Sequence, residues 1–258
     1  MLESLKENIR SDQIERYRQY INQILGKKEA DYDSRFHKLV LETCHLAKFL
    51  SRYDCSIDIV TKSENPDFII KKGNLHIGVE HETIVNQKFK QVEGSLKSLI
   101  ADVEKEYRRT HPCEKRLLNI YMNEFRYSKN NKTELINELL EIVNHYIKTQ
   151  TVIENGFIYD IIMMDHSRLD FVCNLGGWWQ RNLDFPTLLN AIKRKEMKIT
   201  EYQKNSGCKE QWLLLVIGSL GKSSYEIDTP ESLNQPFDTT FNKVFILEDF
   251  QANVFELK

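Results

Sequence analysis

The sequence predicts an α/β or α+β fold in which a central mixed β-sheet is flanked by helices. Segments with helical periodicity alternate along the chain with short apolar or period-two segments, the pattern of a sheet covered by helices. Punctuation is sparse, with 10 Gly and 5 Pro in 258 residues and no internal repeat or low-complexity tract. That length suits one large domain, or one domain carrying an insertion. The expected organisation is an N-terminal helical extension over residues 1–30 and a single domain over 31–258, with an inserted region at about 85–185.

The elements follow in order. A polar helix covers roughly residues 3–25 and is ended by Gly26-Lys27-Lys28, a C-terminal glycine followed by basic residues. A second helix runs from Asp31 or Asp33 to about Tyr53, with Phe36, Leu39, Val40, Cys44, Ala47 and Leu50 at three-to-four spacing on one buried face. Three short strands come next, at 56–61, 67–71 and 75–83, the last two joined by Lys72-Gly73-Asn74 as a hairpin turn. A helix over about 87–109, a strand at 116–122, a helix at 132–148 and a strand at 156–164 follow. A last helix from Phe185 to about Lys204 leads into an apolar strand at 211–218, and strands near 243–247 and 253–257 close the chain. The stretches around 107–131 and 219–242 read as loops or insertions.

Composition narrows the function classes. With 36 basic against 38 acidic residues, a formal net charge of −2, any hold on nucleic acid has to come from local clusters. No stretch is apolar and long enough to cross a bilayer, and the charged N-terminus lacks the apolar run of a signal peptide, so a cytoplasmic location and no membrane partner are expected. The five cysteines are scattered without CxxC or paired histidine spacing, which points to free thiols. Glycine-rich dinucleotide loops and GxSxG elbows are absent. Gly218-Ser219-Leu220-Gly221-Lys222-Ser223-Ser224 contains GKSS, but Val216 stands where a phosphate loop needs its first glycine, so this segment is a turn.

Chemistry concentrates in Asn65–Glu82, NPDFIIKKGNLHIGVEHE. Alternation along a strand puts Glu80 and Glu82 on one face and Val79 and His81 on the other, and the hairpin brings Asp67 across from them. Three carboxylates so placed raise one another's pKa values unless a hard divalent cation neutralises them, which makes Asp67, Glu80 and Glu82 candidate ligands. His81, facing away, is expected to be a core or turn histidine.

This segment resembles the catalytic core of the PD-(D/E)XK, or restriction-endonuclease-like, nuclease superfamily, matched here by Glu42 on the preceding helix, Pro66-Asp67 and Glu80. Two positions after Glu80 the superfamily usually has lysine, where this chain has Glu82. In the helix that follows, Ile192, Lys195, Lys198 and Tyr202 form a basic and aromatic stripe able to supply the missing amine. The resemblance covers roughly residues 31–84 and 186–218. It implies a restriction-endonuclease-like core and a magnesium- or manganese-dependent nuclease. Asp67, Glu80, Glu82, Lys195, Lys198, Glu42 and Tyr202 would then be the site residues, nucleic acid, DNA before RNA, the partner, a homodimer or larger complex the assembly, and bacterial defence the setting. The alternative it leaves open is an inactive nuclease fold that binds nucleic acid or protein. Basic clusters at 105–116 and 126–132 are candidate phosphate contacts, and Gly176-Gly177-Trp178-Trp179 is a candidate base-stacking or packing segment.

Overall fold

The computed structural model describes residues 15, 18–19, 21–22, 34–176, 180–219, 221–228 and 233–258, so most of the expected N-terminal helix and the segment 177–179 lie outside the described residues. In chain order the elements are helix α1 (Ser34–Tyr53), strands β1 (Asp58–Lys62), β2 (Phe68–Lys72) and β3 (Leu75–Thr83), helix α2 (Gln87–Thr110), strand β4 (Arg116–Met122) and helix α3 (Lys132–Thr149). Strands β5 (Ile158–Asp165), β6 (Asp170–Asn174) and β7 (Arg181–Asn182) follow, then helices α4 (Phe185–Glu196) and α5 (Ile199–Ser206). Strands β8 (Glu210–Ile217), β9 (Tyr225–Glu226), β10 (Lys243–Glu248) and β11 (Asn253–Glu256) complete the chain. Two compact units result, one formed by Met1–Val85, Gln180–Leu220 and Ser224–Lys258, the other by Asn86–Trp179 and Gly221–Ser223.

The first unit is mixed α/β around a six-stranded sheet of order β1-β2-β3-β8-β10-β11. β3, β8 and β10 run parallel, and β1, β2 and β11 pair antiparallel at the two sides. From Trp212 to Ile217 the central strand β8 is apolar without a break because both of its faces are covered. Trp212, Leu214 and Val216 pack under α1 with Leu46, Phe49 and Leu50, while Leu213, Leu215 and Ile217 pack under Leu188, Ile192 and Tyr202 of α4 and α5. The strands thus form one layer between two helical layers. β7 and β9 add a short parallel pair.

The expected single helix from Phe185 to about Lys204 is two helices, and the physical reason lies in the chain between them. α4 starts on Asp184, whose carboxylate accepts the Thr187 amide at 2.7 Å, and it closes at Met197 with a bond to the Lys193 carbonyl. Lys198 then leaves helical geometry (φ −104°, ψ 4°) before α5 runs on to Gly207, whose positive φ of 66° caps it. Glycine takes that left-handed conformation without a Cβ penalty.

The second unit carries its own core. Leu96, Leu99, Ile100 and Val103 of α2 and Leu139, Ile142 and Val143 of α3 pack on Leu118, Ile120, Ile158, Ile161 and Phe171 of a three-stranded sheet of order β5-β4-β6. β6, parallel to β4, is an element that the sequence reading leaves out. Within this unit Ser223 of the GKSS segment is held inward, its amide and hydroxyl both donating to the buried Glu93 carboxylate at 2.8 Å. The Ser223 amide is therefore engaged by protein. The five cysteines are free thiols, and no helix among the described residues is long and apolar enough to cross a membrane.

Candidate active site

Strand β3 builds the site because its polar C-terminal half lies between two covered faces. Parallel pairing sets Glu80 beside Leu213 and Glu82 beside Leu215, on the α4 side, and His81 beside Leu214, on the α1 side. Gly78 makes room for this approach: a Cβ there would stand 2.3 Å from Gln211 Oε1 and 2.7 Å from the ring of Pro66. Asp67, just before β2, is locked to β3 by two backbone amides. The His81 amide donates to Asp67 Oδ2 at 2.9 Å, and the Asp67 amide donates to Glu80 Oε2 at 3.3 Å.

On the α4 side the stripe Leu188, Ala191, Ile192 continues at helical spacing to Lys195, which therefore points at the sheet. Its Nζ donates to Glu80 Oε1 at 2.6 Å and lies 3.0 Å from Glu82 Oε2. Burial works against this ammonium, but the Glu80 and Glu82 carboxylates outweigh it and hold the pKa of Lys195 above the usual lysine value. Burial, and after it the Asp67 carboxylate, push Glu80 above the usual glutamate value, with Lys195 pulling the other way. Arg194, at the exposed rim, pairs with the other oxygen of Glu82. Tyr202 is wholly buried on the same side, and its hydroxyl lies against the Glu80 carboxylate without forming a well-aligned hydrogen bond. Burial first and the neighbouring Glu80 second raise its pKa far above that of an ordinary tyrosine, so the proton stays on. Lys198 is exposed at the break between the helices, away from this group.

On the α1 side the buried stripe of the helix begins with polar residues, Glu42 and His45, before turning apolar at Leu46, Phe49 and Leu50. Glu42 Oε2 accepts from Lys62 Nζ at 2.9 Å, and the same ammonium reaches Asp67 Oδ1 at 3.1 Å. Lys62 faces this side because β1 is irregular between Ile59 and Thr61, where an extra residue turns the end of the strand over. His81 stacks on His45, their nitrogens 2.9 Å apart, and burial followed by the nearby His45 and Lys62 drops the pKa of His81 to about 3, keeping its ring neutral. Beyond them Asp249, bonded to His45 and Lys48, has its pKa lowered to about 2.

The structure therefore brings Asp67, Glu80, Lys195 and Tyr202 together, seats Glu82 between Lys195 and Arg194, and places Glu42 on Lys62. Among the described residues no group of three or more histidine, cysteine, aspartate or glutamate side chains is placed to hold a metal ion. The three carboxylates expected to converge are each held by cations, Asp67 by Lys62, Glu80 by Lys195 and Glu82 by Lys195 and Arg194, and Asp67 and Glu80 remain the pair tied to each other through the Asp67 amide. A pair fits magnesium, which is commonly held by one or two carboxylates and keeps several waters. The Tyr202 hydroxyl supports that fit, since a buried hydroxyl without a well-aligned hydrogen bond leaves room for a water or ligand oxygen. Elsewhere, several cations of the basic clusters are already paired: Arg108 with Glu104, Arg109 with Glu106, Arg116 with Glu114 and Lys132 with Asp102.

No protein-family model, curated protein or solved structure matches this chain. The geometry therefore carries the functional argument. Sequence reasoning missed Lys62, His45, Arg194 and Asp249. Arg194 was signalled by its place beside Lys195, and His45 by lying three residues after Glu42 on one helical face. Lys62 and Asp249 carried no local signal, since their roles depend on a strand irregularity and on a contact 201 residues apart in sequence.

Proposed function

We propose that this protein is a metal-dependent phosphodiesterase acting on nucleic acid, DNA before RNA, with a restriction-endonuclease-like core and a lysine relocated from strand to helix. The observation that carries the reading is Lys195 Nζ at 2.6 Å from Glu80 Oε1, beside Asp67. That grouping unites two carboxylates and an ammonium where the strand itself offers Glu82. Stability does not account for it, because buried ion pairs add little net stability over apolar residues of the same volume.

A divalent cation held by Asp67 and Glu80 would supply Lewis acidity, acidifying water and offsetting phosphate charge. Lys195, fixed by two carboxylates, is preorganised to donate to a phosphate oxygen as negative charge develops there. Tyr202, which keeps its proton, offers a second donor to the same region. Glu82 orients Lys195, and Arg194 at the rim is available to the phosphate backbone on either side. The test is cleavage of plasmid and single-stranded substrates with magnesium or manganese by the wild type, Asp67→Asn, Glu80→Ala and Lys195→Ala. Divalent-dependent cleavage lost in the three variants is the expected result. A wild type as inert as the variants over a broad substrate panel would overturn the enzymatic reading in favour of a binding module.

A further inference from the structure

Asp67 reaches its surroundings through two oxygens, and both are engaged. Oδ2 takes the His81 amide at 2.9 Å, a bond that fixes the carboxylate to β3. Oδ1 is the oxygen left for a ligand, and it is covered by Lys62 Nζ at 3.1 Å. Lys62 has a second carboxylate in reach, Glu42 Oε2 at 2.9 Å, and its ammonium also stands 4.4 Å from the centre of the Phe68 ring. The ammonium can therefore give up Asp67 and still keep a counter-ion. Glu42, 7% exposed, needs it, since the only other cation paired with Glu42 among the described residues is the surface-exposed Lys38 at 3.5 Å.

The charges of the whole group lead the same way. Glu42, Asp67, Glu80 and Glu82 are matched by Lys38, Lys62, Lys195 and Arg194, four against four. Such a cluster is balanced with no metal present, so a divalent ion must compete with an ammonium already in place. The Tyr202 hydroxyl, wholly buried beside Glu80 without a well-aligned hydrogen bond, also marks a place for a ligand oxygen.

We infer that Lys62 is a built-in counter-ion that competes with a divalent cation for Asp67 and yields that carboxylate by staying on Glu42. The inference rests on the reading of Asp67 and Glu80 as a cation site. It makes Lys62 a regulator of occupancy, and it gives Glu42 an indirect role: Glu42 is the resting place of the displaced ammonium and holds no metal itself.

The two roles for Glu42 separate once Lys62 is absent: a resting place then no longer matters, whereas loss of a ligand would still weaken binding. Manganese binding to the full chain without substrate is followed by electron paramagnetic resonance of the free ion, in wild type, Lys62→Met, Glu42→Gln and the double variant, each checked for cooperative unfolding. Lys62→Met is expected to bind manganese at least tenfold more tightly, about 1.4 kcal/mol, and Glu42→Gln to bind severalfold more weakly. The double variant, with neither the competitor nor its resting place, is expected to bind as tightly as Lys62→Met. It keeps the test readable if Lys62→Met alone fails to fold around an uncompensated Glu42. Binding that is abolished by Asp67→Asn but no tighter without Lys62, in the single variant or in the double variant against Glu42→Gln, overturns the inference and leaves the cation site standing. Absence of manganese binding in every protein, including those lacking Lys62, overturns the cation site and the inference together.

Discussion

Lys195→Met tests the centre of the site, because the ammonium it removes holds two carboxylates at once. The side chain is 17% exposed, and Glu80, its partner at 2.6 Å, is 7% exposed. Removing one member of a buried pair costs ~3–5 kcal/mol when the other stays charged. Glu80 can escape that cost by protonating, since burial and Asp67 already raise its pKa and only Lys195 opposes them strongly. The loss is therefore pH-dependent, and its sign follows from linkage. A carboxyl whose folded pKa lies above the unfolded value of 4.5 binds its proton more tightly in the folded state, so stability falls as pH rises through that window. The variant should nearly match wild type in urea unfolding at about pH 4.5 and, once pH passes the raised folded value that Glu80 already has in wild type, fall progressively behind by up to ~1.4 kcal/mol per pH unit, until the cost of the charged form is reached. Cleavage at neutral pH should drop about 10²–10³-fold, the usual effect of deleting one preorganised donor to a developing oxyanion. Adding Glu82→Lys to the variant returns an ammonium to the same face of the sheet and should recover a measurable part of that loss. A stability difference that stays flat with pH, together with cleavage within threefold of wild type, would refute the reasoning.

Three further outcomes follow from the same geometry. Tyr202→Phe should raise the melting temperature in the absence of divalent ions, because it removes a wholly buried hydroxyl that forms no well-aligned hydrogen bond, a group worth ~1–3 kcal/mol of penalty; a lower melting temperature would show that the hydroxyl is satisfied by Glu80. Gly78→Ala should cost ~1–3 kcal/mol in chemical denaturation, since the new methyl would meet Gln211 Oε1 at 2.3 Å and Pro66 Cγ at 2.7 Å, and Gln211 is itself anchored to Ser206 and Cys208; unchanged stability would mean that Gln211 moves freely. His81, with a folded pKa of about 3 against 6.5 when unfolded, leaves stability complete above pH 6.5 and removes it as pH falls from 6.5 towards 3. Acid unfolding should accordingly flatten between those limits in His81→Gln, and an identical acid profile would exclude His81 as its cause.

The parts of the fold that read directly from the sequence are those where one face or both faces of an element are apolar. Strand β3 was bounded at 75–83 and β4 at 116–122, as observed, because apolar alternation and turn residues marked both ends. The mixed sheet flanked by helices followed from the order of such segments. The break at Met197–Lys198 was not legible, because a run of good helix formers continues through it. β6 escaped notice because DFVCN is short and carries only one fully buried side chain. In the site, strand alternation separated Glu80 and Glu82 from His81, and helical spacing aimed Lys195 and Tyr202 at them. The same spacing suggested Lys198 as an equal candidate, and the helix break is what turns it outward.

Glu82 is the residue at which the proposed likeness to the nuclease superfamily is least close, and the geometry gives it a reason. An ammonium on a long flexible stem carries about 2 kcal/mol of rotamer entropy, and one carboxylate confines it less than two. Lys195 is held by Glu80 and Glu82 together, at 2.6 and 3.0 Å, and Arg194 takes the remaining oxygen of Glu82. A lysine at position 82 would repel both cations of α4 and leave Glu80 to be shared between two ammonium groups. Glutamate at 82 and lysine at 195 are therefore one arrangement, in which each makes sense of the other. The glutamate that first argues for an inert site is the residue that lets the helix deliver a confined ammonium to Glu80.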